Sequence, residues 1–364
     1  MALRIVQVGL SPWGLNWAQE VLPRRDDIVV AARVDADAAV LKAAGSALSE
    51  TAERHFTTLQ AALSAVEADA VLATVPLPAH AAVARAALED GLHVLVEKPF
   101  AATAGDAAAL VDLAAAHGRV LMVNQNYRHF PAPIAAADLV AGGILGPVRS
   151  VTIDFRRYAP DDGFRYYGLD QPLLSDMAIH HFDLLRMVLD DEPASIACQC
   201  WNPPDSGFSG PPAAVATVRF RRGTIVSYRG SWISHGAATP WAGQWRMDCA
   251  DGEIAWTSRG SGKARLSEDR LCVRGSEHPV DAVRLTPLPF VDRAGSLAAF
   301  AETIRSGREP ARFSSGRDNL LSLALTEAAV ASAASRGAPV RDADPRHTTK
   351  YRNWARSNGQ RGHR

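Results

Sequence analysis

Two short stretches of this chain carry side chains suited to proton transfer. In Leu174-Ser175-Asp176-Met177-Ala178-Ile179-His180-His181-Phe182-Asp183, an aspartate and a histidine stand four residues apart. On a helix over Ser175–Leu189 that spacing places Asp176 and His180 on one face. A carboxylate there can orient and charge-stabilise an imidazole, which can then accept a proton near neutral pH. A buried histidine on a helix capped by an acidic residue gives the same pattern, and His181 and Asp183 read as ordinary helix residues. The second stretch is Glu97-Lys98-Pro99, directly after the apolar run His93–Val96. If that run is a parallel strand, Lys98 lies at its C-terminal end, the edge at which open α/β sheets bind ligands. A surface Glu–Lys pair would read alike, but Pro99 fixes the local backbone and speaks against it. Neither stretch has the H-E-x-x-H spacing of a zinc site, so no metal is expected.

A third feature points to a dinucleotide. The strand Arg4–Val8 leads into Gly9-Leu10-Ser11-Pro12-Trp13-Gly14 and then a helix. This is a G-x-G-x-x-G turn with Ser11 in the place of its middle glycine. Gly9 permits the tight turn, Gly14 lets helix and strand pack closely, and helix N–H groups face a pyrophosphate. A plain strand–turn–helix would look similar. Asp35 ends the second apolar strand, 21 residues past Gly14. A carboxylate there accepts the ribose hydroxyls of NAD and repels the 2′-phosphate of NADP. NAD is therefore expected over NADP, with nearby Arg33 the one feature that could accommodate NADP.

The elements that must position these groups fall into two patterns. Arg4–Val8, Ile28–Val34, Ala70–Thr74, His93–Val96 and Val120–Val123 are near-continuous apolar runs, as buried parallel strands require. Helices are expected between them at Trp13–Leu22, Pro78–Glu89 and Ala104–His117. The implied fold is a doubly wound parallel sheet. After about residue 146 the runs alternate: Val148–Tyr158, Ala194–Trp201, Ala213–Arg221, Thr224–Trp232, Gln244–Ala250 and Gly252–Ser258. Arg222-Gly223 and Asp251-Gly252 read as hairpin turns. With helices at Ser175–Leu189, Ala294–Ser306 and Ser315–Arg336, this is an α+β domain with an open, mainly antiparallel sheet. Residues 1–125 form the expected dinucleotide-binding domain, 126–345 a substrate-binding and oligomerisation domain, and 346–364 a polar basic tail.

Composition narrows the function. The 364 residues carry 39 basic and 39 acidic side chains, and this balance disfavours nucleic acid or an anionic membrane surface as partner. No apolar run is long enough for a membrane helix. Four cysteines without a C-x-x-C pair suit a reducing, cytoplasmic compartment.

Taken in order, these pieces resemble the glucose–fructose oxidoreductase / inositol dehydrogenase (Gfo/Idh/MocA) family. The likeness spans residues 1 to about 345 and rests on the Gly9–Gly14 turn, Thr74-Val75-Pro76 followed by His80, Gly91-Leu92-His93-Val94 leading to Glu97-Lys98-Pro99, Asn126-Tyr127-Arg128, and Asp176-x-x-x-His180. It extends to Ser296, Phe300, Glu302 and Ala329. Ser11 departs from the family pattern, as does Asp170-Gln171-Pro172-Leu173-Leu174, where a glycine-rich lead-in is usual.

The resemblance implies an N-terminal Rossmann domain and an NAD(P)-dependent sugar, inositol or polyol dehydrogenase. Lys98 would lower the pKa of the reacting hydroxyl, His180 would take its proton, and Asp176 would orient His180 or bind a neighbouring hydroxyl. Gly9, Ser11, Pro12, Trp13, Gly14, Asp35, Thr74, Pro76, His80, Glu97, Lys98 and Asn126 would hold the cofactor. Arg128, Tyr158, Tyr167, Asp176 and His180 would meet the substrate. Tyr166, Trp201, Trp232, Trp241 and Trp245 add flat rings that suit sugar C–H faces, or equally core packing or a subunit interface. An open sheet with exposed aromatics calls for a homodimer or homotetramer. The same residues also allow a glycoside-cleaving enzyme with tightly held NAD. A cofactor-binding sensor without turnover is the non-enzymatic alternative, although the Lys98, Asp176 and His180 set argues against it.

Overall fold

The computed structural model describes residues 2–159, 167–261, 266–275 and 281–341. Tyr166 and the basic tail lie outside the described residues. The chain divides into two compact units, residues 1–126 with 290–320, and residues 127–289 with the chain from Leu321 onward.

The first unit is built on a parallel sheet of β1 (Leu3–Val8), β2 (Ile28–Val34), β3 (His55–Phe56), β4 (Ala70–Ala73), β5 (His93–Val96) and β6 (Leu121–Val123). Its strand order is β3-β2-β1-β4-β5-β6. The order reverses between β1 and β4, and such a switch point opens the crevice where doubly wound sheets hold ligands. β4 is buried along its whole length, as its unbroken apolar sequence requires. The crossovers are α1 (Pro12–Glu20), α2 (Ala38–Leu48), α3 (Leu59–Ala65), α4 (Leu77–Glu89) and α5 (Ala104–Ala116). α1 stops at Glu20, short of the expected Leu22, because Pro23 diverts the chain into a separate turn over Leu22–Arg24.

The second unit contains α6 (Pro131–Gly142) and α7 (Ile179–Leu189) against a nine-stranded sheet. Its strands are β7 (Val148–Arg156), β8 (Pro193–Trp201), β9 (Ala213–Phe220), β10 (Ile225–Ser231), β11 (Gln244–Cys249), β12 (Gly252–Thr257), β13 (Arg270–Gly275), β14 (Asp281–Ala282) and β15 (Val340–Arg341). All neighbours pair antiparallel except β10 with β7. One face carries Val151, Ile153, Phe155, Tyr228, Trp245 and Trp256 into the core. The other presents mostly polar groups, among them Thr152, Thr217, Ser227, Arg229 and Arg246. Trp232 and Trp245 are only 1% exposed, so for them core packing holds, and Trp201, 43% exposed, is the outlying ring.

Two further helices complete the chain, α8 (Arg293–Ser306) and α9 (Gly316–Ala334). α8 belongs to the first unit, where Leu297, Phe300 and Ala301 join Leu3, Ile5, Trp17, Leu72, Leu95 and Met122 in one cluster. A boundary drawn once near residue 125 does not contain this return of the chain.

The segment around Asp176 differs from the expected helix. Leu174–Ala178 forms a π-helical turn, and the α-helix begins only at Ile179. No side chain caps either start. Such wider turns occur often at functional sites.

Candidate active site

In the first unit the dinucleotide turn has the geometry its glycines demand. Gly9 has φ +96°, and a Cβ there would stand 2.6 Å from Val75 N. A Cβ on Gly14 would stand 1.9 Å from the Gly9 carbonyl oxygen. Thr74 Oγ1 lies 2.7 Å from that same oxygen and donates to it. Asp35 Oδ2 accepts from Leu10 N at 2.7 Å, so the carboxylate that ends β2 is fastened to the turn that follows β1. Ser11 supplies the N-cap of α1 through its backbone, without a side-chain cap bond. Pro12 and Pro76 are exposed at the same sheet edge.

Beneath this turn runs a buried polar chain. Gln7 Nε2 donates to the Gly14 carbonyl at 2.7 Å. The Gln7 side-chain oxygen accepts from Arg33, whose other nitrogens grip Glu50 at 2.6 Å each. Burial alone would raise the Glu50 carboxyl, but the bonds and charge of Arg33 prevail and hold it below the usual carboxylate range. Arg33 is 4% exposed and already spent on these partners. Glu50 thus holds the β2 arginine that the sequence offered to a 2′-phosphate.

At the end of β5, Glu97 is buried and does not face outward as a surface ion pair would. Its Oε1 accepts from Trp13 Nε1 and Trp17 Nε1, both at 2.7 Å, and from Asn124 Nδ2 at 2.9 Å. Glu97 therefore ties α1 to the strand that delivers half-buried Lys98. The Lys98-Pro99 peptide is cis. His80 sits between two backbone carbonyls, with Nδ1 2.6 Å from Pro99 O and Nε2 2.8 Å from Val75 O. Asn126 donates to Asp292, a buried aspartate with φ +61°. Turn, Asp35, Thr74, His80, Glu97 and Asn126 all lie at or beside the C-terminal edge of the sheet, as a dinucleotide site requires. Gly9, Gly14 and the Asp35–Leu10 bond fit an NAD molecule.

In the second unit His180 is 5% exposed and lies flat on Tyr127, with ring centroids 4.0 Å apart and 3° between planes. The Tyr127 hydroxyl accepts from Arg259 at 3.2 Å, and the guanidinium carbon is 4.7 Å from the Tyr127 ring centre. Arg259 has φ +58°, in the left-handed region, where non-glycine residues are uncommon and strain gathers at functional sites. Its peptide N–H is held by Asp269 at 2.9 Å. Arg157 covers Trp241 at 3.9 Å from the ring centre. Burial pushes the Arg157 pKa down; Tyr127 opposes it, Arg259 adds to it, and Glu268 opposes it least.

Other expected substrate contacts have partners within this unit. Arg128 and Asp183 form a bidentate pair at 2.7 and 2.6 Å with side chains 4% and 1% exposed. Ser322 adds a bond to Asp183 at 2.8 Å. This arrangement gives Arg128 a structural duty, binding the segment after β6 to α7. Tyr167 donates to Ala159 O at 2.6 Å. Tyr158 is 48% exposed and rests on His235. His181 is fully buried, with Nε2 3.1 Å from Trp241 O and Nδ1 3.1 Å from the Tyr228 hydroxyl. Because a carbonyl only accepts, Nε2 carries the proton and Nδ1 accepts from Tyr228.

Sequence reasoning did not find Gln7, Glu50, Asp292, Arg157 or Arg259 as site residues. Ser258-Arg259-Gly260-Ser261-Gly262 did hold a signal, an arginine set among turn formers. The aromatic partners of Arg157 and Arg259 come from distant strands and leave no local trace.

The chain is similar to known proteins over both units. Residues 3–125 match the model of an oxidoreductase family with an NAD-binding Rossmann fold, and residues 134–255 match the GFO/IDH/MocA C-terminal domain. The D-apiose dehydrogenase of Paraburkholderia graminis is 27% identical over 85% of this chain and 82% of its own. The inositol 2-dehydrogenase of Rhizobium meliloti is 26% identical over 92% of this chain and 98% of its own. An oxidoreductase from Agrobacterium radiobacter, solved with NAD+, L-tartaric acid and magnesium, has the same fold. It superposes with a TM-score of 0.80 over 94% of this chain and 98% of its own, at 22% identity. With both domains matched and the dinucleotide turn intact, the chain belongs to the Gfo/Idh/MocA family of NAD-binding Rossmann-fold oxidoreductases.

Proposed function

We propose that the protein is an NAD-dependent dehydrogenase acting on a secondary hydroxyl of a sugar, inositol or related polyol. The observation that carries the cofactor choice is Asp35 fastened to Leu10 N while Glu50 sequesters Arg33. A carboxylate is thereby presented where ribose hydroxyls bind, with no free guanidinium beside it from β2. The substrate class follows from relatives whose names are D-apiose dehydrogenase and inositol 2-dehydrogenase.

When bound, NAD supplies the hydride acceptor. The first turn of α1 offers N–H groups to its pyrophosphate, and Gly9 and Gly14 keep that surface clear of side chains. His180 accepts the hydroxyl proton, and its stack on Tyr127 fixes the plane in which it does so. Lys98 stabilises the developing alkoxide by its charge. Asp176 orients His180 or holds a neighbouring hydroxyl.

The open face of the nine-stranded sheet is the surface through which copies pair, in the cytoplasm, where the four cysteines stay free. No helix among the described residues is long and apolar enough to cross a membrane.

The test is NADH formation by the full-length protein across a panel of sugars and inositols. Turnover that falls at least 100-fold in both Lys98→Ala and His180→Ala is expected. Glycoside cleavage without net NADH would replace this reading with transient ring oxidation. Activity that survives both substitutions would remove the assigned residues.

A further inference from the structure

Arg157 and Arg259 converge on one aromatic wall of the second unit. Arg157 covers Trp241 at 3.9 Å from the ring centre, and Arg259 reaches the same ring at 5.5 Å while also covering Tyr127. Tyr127 is the ring on which His180 lies. Two guanidiniums are therefore collected beside the candidate proton acceptor.

Among the described residues neither guanidinium is paired with a carboxylate. The partners of Arg157 are the Thr239 carbonyl at 3.1 Å and the Ser261 hydroxyl at 3.0 Å. The partner of the Arg259 side chain is the Tyr127 hydroxyl. Both Nε atoms are buried and without a hydrogen-bond partner. Glu268 acts on Arg157 only at a distance, and Asp269 is committed to the Ser258 hydroxyl and to the peptide N–H groups of Arg259 and Ala132. Three buried guanidiniums among the described residues are matched with carboxylates: Arg33 with Glu50, Arg128 with Asp183, Arg186 with Glu192.

Bringing two like charges out of water without an anion is unfavourable. Stacking on Trp241 and Tyr127 offsets part of that cost. The left-handed backbone of Arg259 adds to it. A planar fork with free N–H groups matches a carboxylate or phosphate in geometry and in charge.

We propose that Arg157 and Arg259 form a subsite for an oxyanion carried by the substrate, so that the sugar or polyol is an acidic one, either a sugar carboxylate or a phosphorylated sugar. This rests on the dehydrogenase reading for the word substrate, but the anion site itself does not. The anionic group docks on the two guanidiniums, and the rest of the substrate extends from there toward His180. Specificity against neutral polyols follows, because only an anion supplies the missing counter-charge.

The experiment is calorimetric titration of the full chain, saturated with NAD, with D-glucose, D-glucuronate and D-glucose 6-phosphate. At least one anion should bind about ten-fold or more tightly than D-glucose. Arg157→Met and Arg259→Met should each remove most of that preference, and Arg157→Lys and Arg259→Lys should restore part of it. NAD affinity and the thermal midpoint, measured on the same variants, separate loss of the subsite from loss of the fold. Preference for glucuronate or for the phosphate identifies the oxyanion. Equal binding of all three ligands, no binding of either anion, or a preference that survives both Met variants overturns the proposal. Arginine-dependent anion binding without any NADH formation keeps the subsite and removes the dehydrogenase reading.

Discussion

His180 and Tyr127 lie face to face, 4.0 Å between ring centres and 3° from parallel. An imidazole that must receive a proton along one direction gains from such a partner, because stacking removes rotation about its ring axis. Tyr127→Leu should lower kcat about ten-fold, the size of one aromatic pair. Tyr127→Phe keeps the stack and loses only the bond to Arg259, so its kcat should stay within about three-fold. Steady-state kinetics of the two variants side by side checks this, and equal losses would deny the stack its role.

Asp35 holds the dinucleotide turn and, in the proposed function, the ribose. Asp35→Ala should weaken NAD binding about 10- to 100-fold, as expected for loss of charge-assisted hydrogen bonds. The discrimination against NADP should shrink, yet NADP should not become preferred, because Glu50 still holds Arg33. Fluorescence titration with NADH and NADPH measures both, and unchanged NADH affinity would end the assignment.

The Arg128–Asp183 pair separates a structural from a substrate-binding role. Asp183→Asn leaves a guanidinium buried without its counter-ion and should cost about 3–5 kcal/mol of stability. The double variant Arg128→Met with Asp183→Leu should recover part of this loss. Urea unfolding with the midpoint read for all three proteins decides the matter. A change confined to KM, with stability intact, would return Arg128 to the substrate.

Acid should destabilise the second unit through His181. Complete burial holds its pKa down to about 4 from an ordinary 6.5, although the bond to Trp241 pulls the other way. Between those values the unfolded chain binds a proton that the folded chain refuses, so stability rises with pH across this window. The contribution is fully present above about pH 6.5 and is lost as pH falls toward about 4, amounting to about 3 kcal/mol at most. Unfolding midpoints at several pH values should show this slope in the wild type and lose it in His181→Gln.

The parallel sheet was legible because its strands are buried on both faces and read as apolar runs; Ile28–Val34 and His93–Val96 have the same ends in sequence and structure. Helices over Ala38–Leu48 and Pro131–Gly142 were not named in the sequence reading. Alanine-rich segments lack a polar face to set their period, and Pro131 and Pro133 disguise a helix that merely starts with proline. The Gly9–Gly14 turn and Asp35 were visible because backbone sterics and a single charge dictate them. The π-turn at Leu174–Ala178, the Glu50–Arg33–Gln7 chain and the Arg157–Trp241 stack depend on partners far along the chain, which no local window contains. Glu97 illustrates the limit well: its position was noticed, but two tryptophans from α1 decide that it faces inward.

The return of α8 to the first sheet also bears on synthesis. Leu297 and Phe300 cover Leu95 and Met122, which emerge from the ribosome nearly two hundred residues earlier. Until that helix arrives, the growing polypeptide has only Trp17, Val21 and Leu22 to share that cluster with the sheet. The apolar cluster of the nucleotide-binding half is therefore complete only once residues 294–313 have been made, and a nascent chain stalled before residue 290 exposes part of it.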